Sequence, residues 1–153
     1  GDTTARIFTT HLEAELVYSE FMNLHPTNEN LPYVMYQIGM CHFNEIPTID
    51  RDQTEAFRAL KEIERLMARF PESKFAFMAE KMIRDCRKYL GEKEFYVGEF
   101  YFNRKEYSAA LRRFEKIARE YPNIGLDVKV NYFIGESRRR IAEAGAKDRP
   151  ATK

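Results

Sequence analysis

"EKEFYVGEFYFNRKEYSAALRRFEKIAREYP" (residues 92–122) holds two amphipathic stretches joined by a short polar turn and closed by a proline. Setting Pro122 at position 32 of a 34-residue repeat puts Gly98 at position 8, Tyr101 at 11, Ala110 at 20 and Phe114 at 24. Small residues at 8 and 20 let two antiparallel helices approach, and rings at 11 and 24 fill the space between them. The same small-then-bulky pair precedes two other prolines. Ala59 and Ile63 stand before Pro71 of "LMARFP" (66–71), and Ala14 and Tyr18 before Pro26 of "EFMNLHP" (20–26). Each proline stops its helix, because it lacks an amide donor and disfavours helical geometry in the residue before it. Thr27, Ser73 and Asn123 then supply turn or N-cap groups for the next helix.

This pattern is that of the tetratricopeptide repeat (TPR), a helical hairpin that buries its faces on its neighbours. The expected fold class is all-α: a TPR α-solenoid of helical hairpins with one elongated helix. The spacing is uneven. Pro26 and Pro71 lie 45 residues apart, and Pro71 and Pro122 lie 51 apart, so each interval exceeds a 34-residue repeat. The first excess falls in "NEIPTIDRDQT" (44–54), a longer turn inside one hairpin. The second falls in "KFAFMAEKMIRDCRKYL" (74–90), whose Phe75, Ala79, Met82, Ile83, Cys86 and Leu90 share one helical face. It predicts one long helix over 74–103, with Gly91 as its weak point.

The expected helices are a stub over 3–9, then 11–24, 31–43, 52–70, 74–103, 106–121 and 126–144. "NYFIGESRRR" (131–140) reads as the first helix of another repeat, with Gly135 at position 8. Residues 1–145 form the array, as a partial hairpin, two full hairpins and a terminal helix. Residues 146–153 form a disordered tail. The start, which lacks Met, reads as trimmed, and a trimmed array exposes a face. An apolar patch near Phe8, Tyr18 and Phe21 that favours self-association is the expected consequence.

Composition excludes several classes. The 153 residues carry a net charge of +1, so no bulk field favours nucleic acid or an anionic membrane. No run of about 18 apolar residues is present to span a bilayer, and no signal peptide is visible. Cys41 and Cys86 read as small buried hydrophobes, since neither belongs to a CxxC pair. His11, His25 and His42 lack the spacing of metal ligands. "RRR" at 138–140, with Arg112 and Arg113, reads as a solvated face before a partner surface, and nucleic acid comes last. Tyr33 and Tyr36 flank the apolar face of the 31–43 helix and divide between core packing and a peptide groove. The glutamate-rich segments pair with Lys or Arg along exposed helices. No catalytic, cofactor or metal site is expected.

Four segments carry a resemblance: "HPTNENLPYVMYQIG" (25–39), "RDQTEAFRAL" (51–60), "RFPESKFA" (69–76) and "EKEFYVGEFYFNRKEYSAALRRFEKIAREYP" (92–122). Over about 11–140 the chain resembles the outer-membrane protein assembly factor BamD family. The long intrahairpin turn and the extended helix are departures from a plain TPR that this family shares. The resemblance implies a non-enzymatic lipoprotein on the periplasmic face of the bacterial outer membrane. Such a protein serves as a scaffold in the complex that folds β-barrels. The implied partners are the POTRA domain of BamA next to the barrel, other lipoproteins of the complex, and unfolded outer-membrane proteins. The family's N-terminal repeats are linked to substrate recognition and its C-terminal repeats to BamA.

Set against the family's pattern, the chain is expected to lack the lipobox cysteine, the first repeat and part of the second, which leaves the docking half. By resemblance, the BamA contact maps to Arg119 and Glu120, Asn123 in the turn, and the start of the next helix at Asp127 and Lys129. Asp127 and Lys129 stand in "NIGLDVKV", where the family can carry a further arginine. The alternative is another periplasmic TPR adaptor, of the Tol–Pal coordinator type, whose repeats are evenly spaced.

Overall fold

The computed structural model describes residue 13 and residues 16–148, and among them all regular structure is helical. In order these are α1 (16–24), α2 (Leu31–Asn44), α3 (Thr54–Arg69), α4 (Lys74–Met78), α5 (Glu80–Asn103), α6 (Tyr107–Glu120) and α7 (Asp127–Lys147). The fold is the all-α, TPR-like architecture expected. The stub over 3–9, His11, Phe8, Ala14 and the last five residues lie outside the described set. Tyr18 and Phe21, expected in an exposed apolar patch, are half-buried. Burial pushes the Tyr18 phenol above its usual range, helped by Tyr33 and Cys41.

The proline stops work as the sequence implies, and with the same geometry twice. Phe70 ends α3 at φ −133°, ψ 61°, and Tyr121 ends α6 at φ −130°, ψ 51°. Each leaves the helical region before its proline and still donates its amide to the last turn, to Leu66 O or Ile117 O, at 2.8 Å. Ser73 caps α4, its Oγ accepting from Phe75 N at 3.1 Å. Asp52 does similar work before α3, accepting from Thr54 N at 2.8 Å.

One expectation needs correction. The single helix over 74–103 is interrupted at Ala79, which separates α4 from α5. Ala79 keeps right-handed dihedrals (φ −82°, ψ −7°), donates to Phe75 O at 3.0 Å and accepts from Ile83 N at 3.1 Å. The ladder therefore carries across the step, and the apolar periodicity never breaks. Gly91, expected to weaken the helix, lies buried inside α5 without interrupting it. At the other end, α7 runs to Lys147, past the expected stop at 144 and into the stretch assigned to the tail.

The chain forms two compact units. The first takes residues up to Thr48 and Asp52–Cys86. Here α2 and α3 make a hairpin in which Gly39 faces Ile63. A β-carbon there would lie 2.4 Å from Ile63 Cδ1. Leu31, Met35, Ile63 and Leu66 are fully buried. Burying each such side chain contributes about 1.5–3 kcal/mol. His42, in the last turn of α2, is buried with its Nδ1 2.6 Å from Glu55 Oε2 on α3. Arg69 of α3 donates to Pro26 O at 2.6 Å and so holds the turn after α1.

The second unit takes Ile49–Arg51 and residues from Arg87 on. Its core is Phe95, Ala110, Phe114, Ile117 and Val130. Phe133 of α7 stacks on Phe114 at 4.9 Å, and Phe95 meets both rings edge-on at 5.5 and 5.6 Å. Such aromatic pairs add about 0.5–1.5 kcal/mol each beyond burial. Lys93 of α5 donates to Ile49 O at 3.2 Å, tying the 49–51 strap to this unit. No helix of the described residues is long and apolar enough to cross a membrane.

Candidate docking surface

The turn between α6 and α7, residues 121–126, is built from three local constraints. Tyr121 leaves the helix ahead of Pro122. Asn123 then adopts φ 62° and Gly125 φ 90°, left-handed conformations that asparagine and glycine adopt most readily. Asp127, the first residue of α7, reaches back and accepts the Asn123 amide at 3.2 and 3.3 Å. Its charge also suits the positive end of the α7 dipole.

The turn is anchored beneath. Ile124 lies over Gly91 of α5, where a β-carbon would fall 2.1 Å from Ile124 Cδ1. Tyr121 is half-buried, and that burial raises its phenol pKa above the usual range. Arg87 of α5 makes a long contact, 3.4 Å, with the carbonyl of Glu120. The loop is thus held by packing from inside and by its own hydrogen bonds outside.

Arg119, Glu120, Asn123, Asp127 and Lys129 are all exposed. The structure places them around one turn: Arg119 and Glu120 end α6, Asn123 is in the turn, and Asp127 and Lys129 open α7. Only Asn123 and Asp127 bond to each other. Among the described residues, Arg119 and Lys129 make no ion pair.

The neighbouring charges are committed inside the fold. Glu94, largely buried, takes Arg113 at 3.0 Å and Lys116 at 2.9 Å. The hydrogen bond that Lys116 donates to Glu94 raises the Lys116 pKa. The 138–140 arginines are neutralised in the same way. Arg138 pairs with Glu115 at 3.1 Å, Arg140 with Glu136 at 3.1 Å, and Arg139 with both Glu136 and Glu143. Those hydrogen bonds from Arg139 and Arg140 hold the Glu136 carboxyl below its usual range.

Two exposed side chains beside the turn escaped the sequence reading. Val128 is 86% exposed and Tyr132 63% exposed, one helical turn apart on α7. Their signal was the phase of the helix. Val130, Phe133 and Ser137 point inward, so 128 and 132 must point out. In the first unit, Tyr33 and Tyr36 converge on Phe75 of α4 at 5.3 and 5.7 Å. Tyr33 remains 45% exposed. His25 packs on Phe21 at 5.3 Å. Cys41 and Cys86 are both free thiols, and Cys86 is fully buried.

Comparison with known proteins agrees with this architecture. The profile of the YfiO family, described as outer membrane lipoprotein, matches residues 9–148. An outer membrane protein assembly factor BamD from Rickettsia prowazekii is 30% identical over 125 residues, 82% of this chain and 50% of the relative. The BamD of Neisseria meningitidis serogroup A is 34% identical over 116 residues, 67% of this chain and 42% of the relative. That of Caulobacter vibrioides is 29% identical over 97 residues, 63% of this chain and 32% of the relative. The chain thus spans about half the length, or less, of the curated relatives it matches. None of these three bears the name of a Tol–Pal coordinator. On the extent of these matches, the chain belongs to the YfiO family of outer membrane lipoproteins, the family of the BamD assembly factors.

Proposed function

We propose that this chain is a non-enzymatic adaptor of outer-membrane β-barrel assembly that docks a periplasmic domain of BamA, the POTRA domain next to the barrel, through the α6–α7 turn. The observation that carries this reading is the contrast in charge pairing. Among the described residues Arg119 and Lys129 are exposed and make no ion pair on either side of the turn, while Arg113, Lys116 and Arg138 are bonded within the fold. Unpaired charges at an interface rim steer encounter and set specificity more than they add affinity. A prepaid turn geometry lowers the ordering cost of binding. The test is a pull-down of the chain with that POTRA domain, with and without Arg119→Glu. Retention that the substitution leaves unchanged would remove this turn from the interface.

A second contact is proposed for unfolded outer-membrane polypeptide, at the exposed edge of Tyr33 beside Tyr36 and Phe75. A large ring with few rotatable bonds gives contact area at low entropic cost. Photo-crosslinking from position 33 to an unfolded barrel segment is the expected result. Labelling that Tyr36→Ala leaves unchanged would argue against a shared groove.

A further inference from the structure

Four cations share one face of α6. Arg112, Lys116 and Arg119 recur at steps of four and three, and Arg113 lies beside them. Two carboxylates, Glu115 and Glu120, stand on the same helix. The first-unit helix α3 also carries four cations, and it pairs three of them along its own length: Arg58 with Glu55, Lys61 with Glu64 and Arg65 with Glu62. Among the described residues α6 makes no such internal pair. Its cations draw their counter-charge from another helix.

That helix is α5, and the residue is Glu94. Its side chain is 12% exposed, and its two oxygens divide the work: Oε2 accepts from Arg113 at 3.0 Å and Oε1 from Lys116 at 2.9 Å. Hydrogen bonds between ionised groups are the strong kind. A carboxylate arriving from outside would have to draw one of these cations away. It would gain little, because an ion pair at the surface is weak. Glu94 would meanwhile keep its charge in a largely buried place with half of its compensation gone, which is costly. The clamp therefore holds against a competing anion. Arg112 and Arg119 are exposed and make no ion pair among the described residues, so they are the cations that α6 leaves to a partner.

We infer that Glu94 is a specificity-determining residue: by holding Arg113 and Lys116 it halves the number of cations that α6 offers, and so keeps this face from binding any acidic polymer. Glu94 is a positioning residue, since it acts through the two cations and not on the partner. For the choice of partner this role rests on the proposed BamA docking, whereas the withholding of the two cations does not.

Glu94→Gln tests it. Glutamine keeps the shape of the side chain but removes the charge and one of the two acceptors, so Arg113 and Lys116 become available. The probe is poly-glutamate, titrated against the 153-residue chain across a series of salt concentrations. At low salt Glu94→Gln should bind it about tenfold more tightly than the wild type, as two added surface ion pairs allow. The fall of affinity with salt should steepen by about two charges. Adding Arg113→Gln and Lys116→Gln to Glu94→Gln should restore both values, which a disturbance of folding would not permit. Glu99→Gln removes the same charge from α5 at a residue with no ion pair among those described, and it should leave both values as they are. Wild-type affinity and salt dependence in Glu94→Gln would overturn the inference. So would an equal gain in Glu99→Gln, or a gain that persists in the triple variant. If Glu94→Gln gains poly-glutamate while the wild-type chain does not bind the POTRA domain, the role of Glu94 stands and the docking reading alone falls.

Discussion

Phe114 closes over Gly98: a β-carbon on the glycine would lie 2.8 Å from two atoms of the phenylalanine ring. The ring has nowhere to go, since it is fully buried, stacked on Phe133 and met edge-on by Phe95. Gly98→Ala should therefore destabilise the second unit by about 1–3 kcal/mol, the usual cost of overpacking. Gly135→Ala should do the reverse. It adds a β-carbon in open space inside a helix, where alanine is favoured over glycine by about 1 kcal/mol. Urea denaturation of the two variants, side by side, checks both signs.

Ser137 is fully buried on α7, and its hydroxyl has no hydrogen-bond partner among the described residues. Burying an unsatisfied hydroxyl costs about 1–3 kcal/mol by mutational comparison. Ser137→Ala should raise the unfolding midpoint rather than lower it. A loss of stability would mean that the hydroxyl has a partner.

Cys86 is buried and its thiol pKa is pushed up to about 12, chiefly by desolvation, with Asp85 adding to it. The thiolate is the reactive form, so Cys86 should resist thiol reagents at neutral pH while the chain is folded. Labelling of Cys86 should rise together with global unfolding in urea. Labelling in the absence of denaturant would show that the first unit opens locally.

Lys116 has its pKa raised in the folded state, first through its hydrogen bond to Glu94. The sign follows from linkage. A raised lysine pKa gives stability that is fully present below the unfolded value and lost as pH rises through the folded value. Stability should thus fall more steeply above the ordinary lysine range in the wild type than in Glu94→Gln. The effect should be small because Lys116 is part-exposed and solvent screens the pair.

Much of the helical layout was legible because its punctuation is local. Pro71 and Pro122 each force the preceding residue out of the helix, and they do so with nearly the same dihedrals. Ala59, Ile63, Ala110 and Phe114 were legible as core because the repeat fixes their spacing, and all four are fully buried. The step at Ala79 left no trace because the apolar periodicity and the hydrogen-bond ladder both continue across it. Gly91 was misread because its role is non-local: it is small so that Ile124, 33 places on, can lie over it. The turn proposed for docking came from the resemblance, and the five residues named there are exposed. That Arg119 and Lys129 make no ion pair among the described residues while Arg113 and Lys116 are clamped by Glu94 depends on which helices meet, and helical phase does not report it.

The central claim is that the α6–α7 turn is a preformed docking surface. Calorimetric titration of the chain with the BamA POTRA domain nearest the barrel tests it most directly, with Arg119→Glu and Arg112→Glu as variants. Arg112 is exposed on the same helix and makes no ion pair among the described residues, so it controls for net charge. The account predicts saturable binding that Arg119→Glu weakens about tenfold and Arg112→Glu leaves within about twofold, as a specific rim contact requires. Binding that both substitutions weaken equally, or no binding by the folded chain, would contradict it.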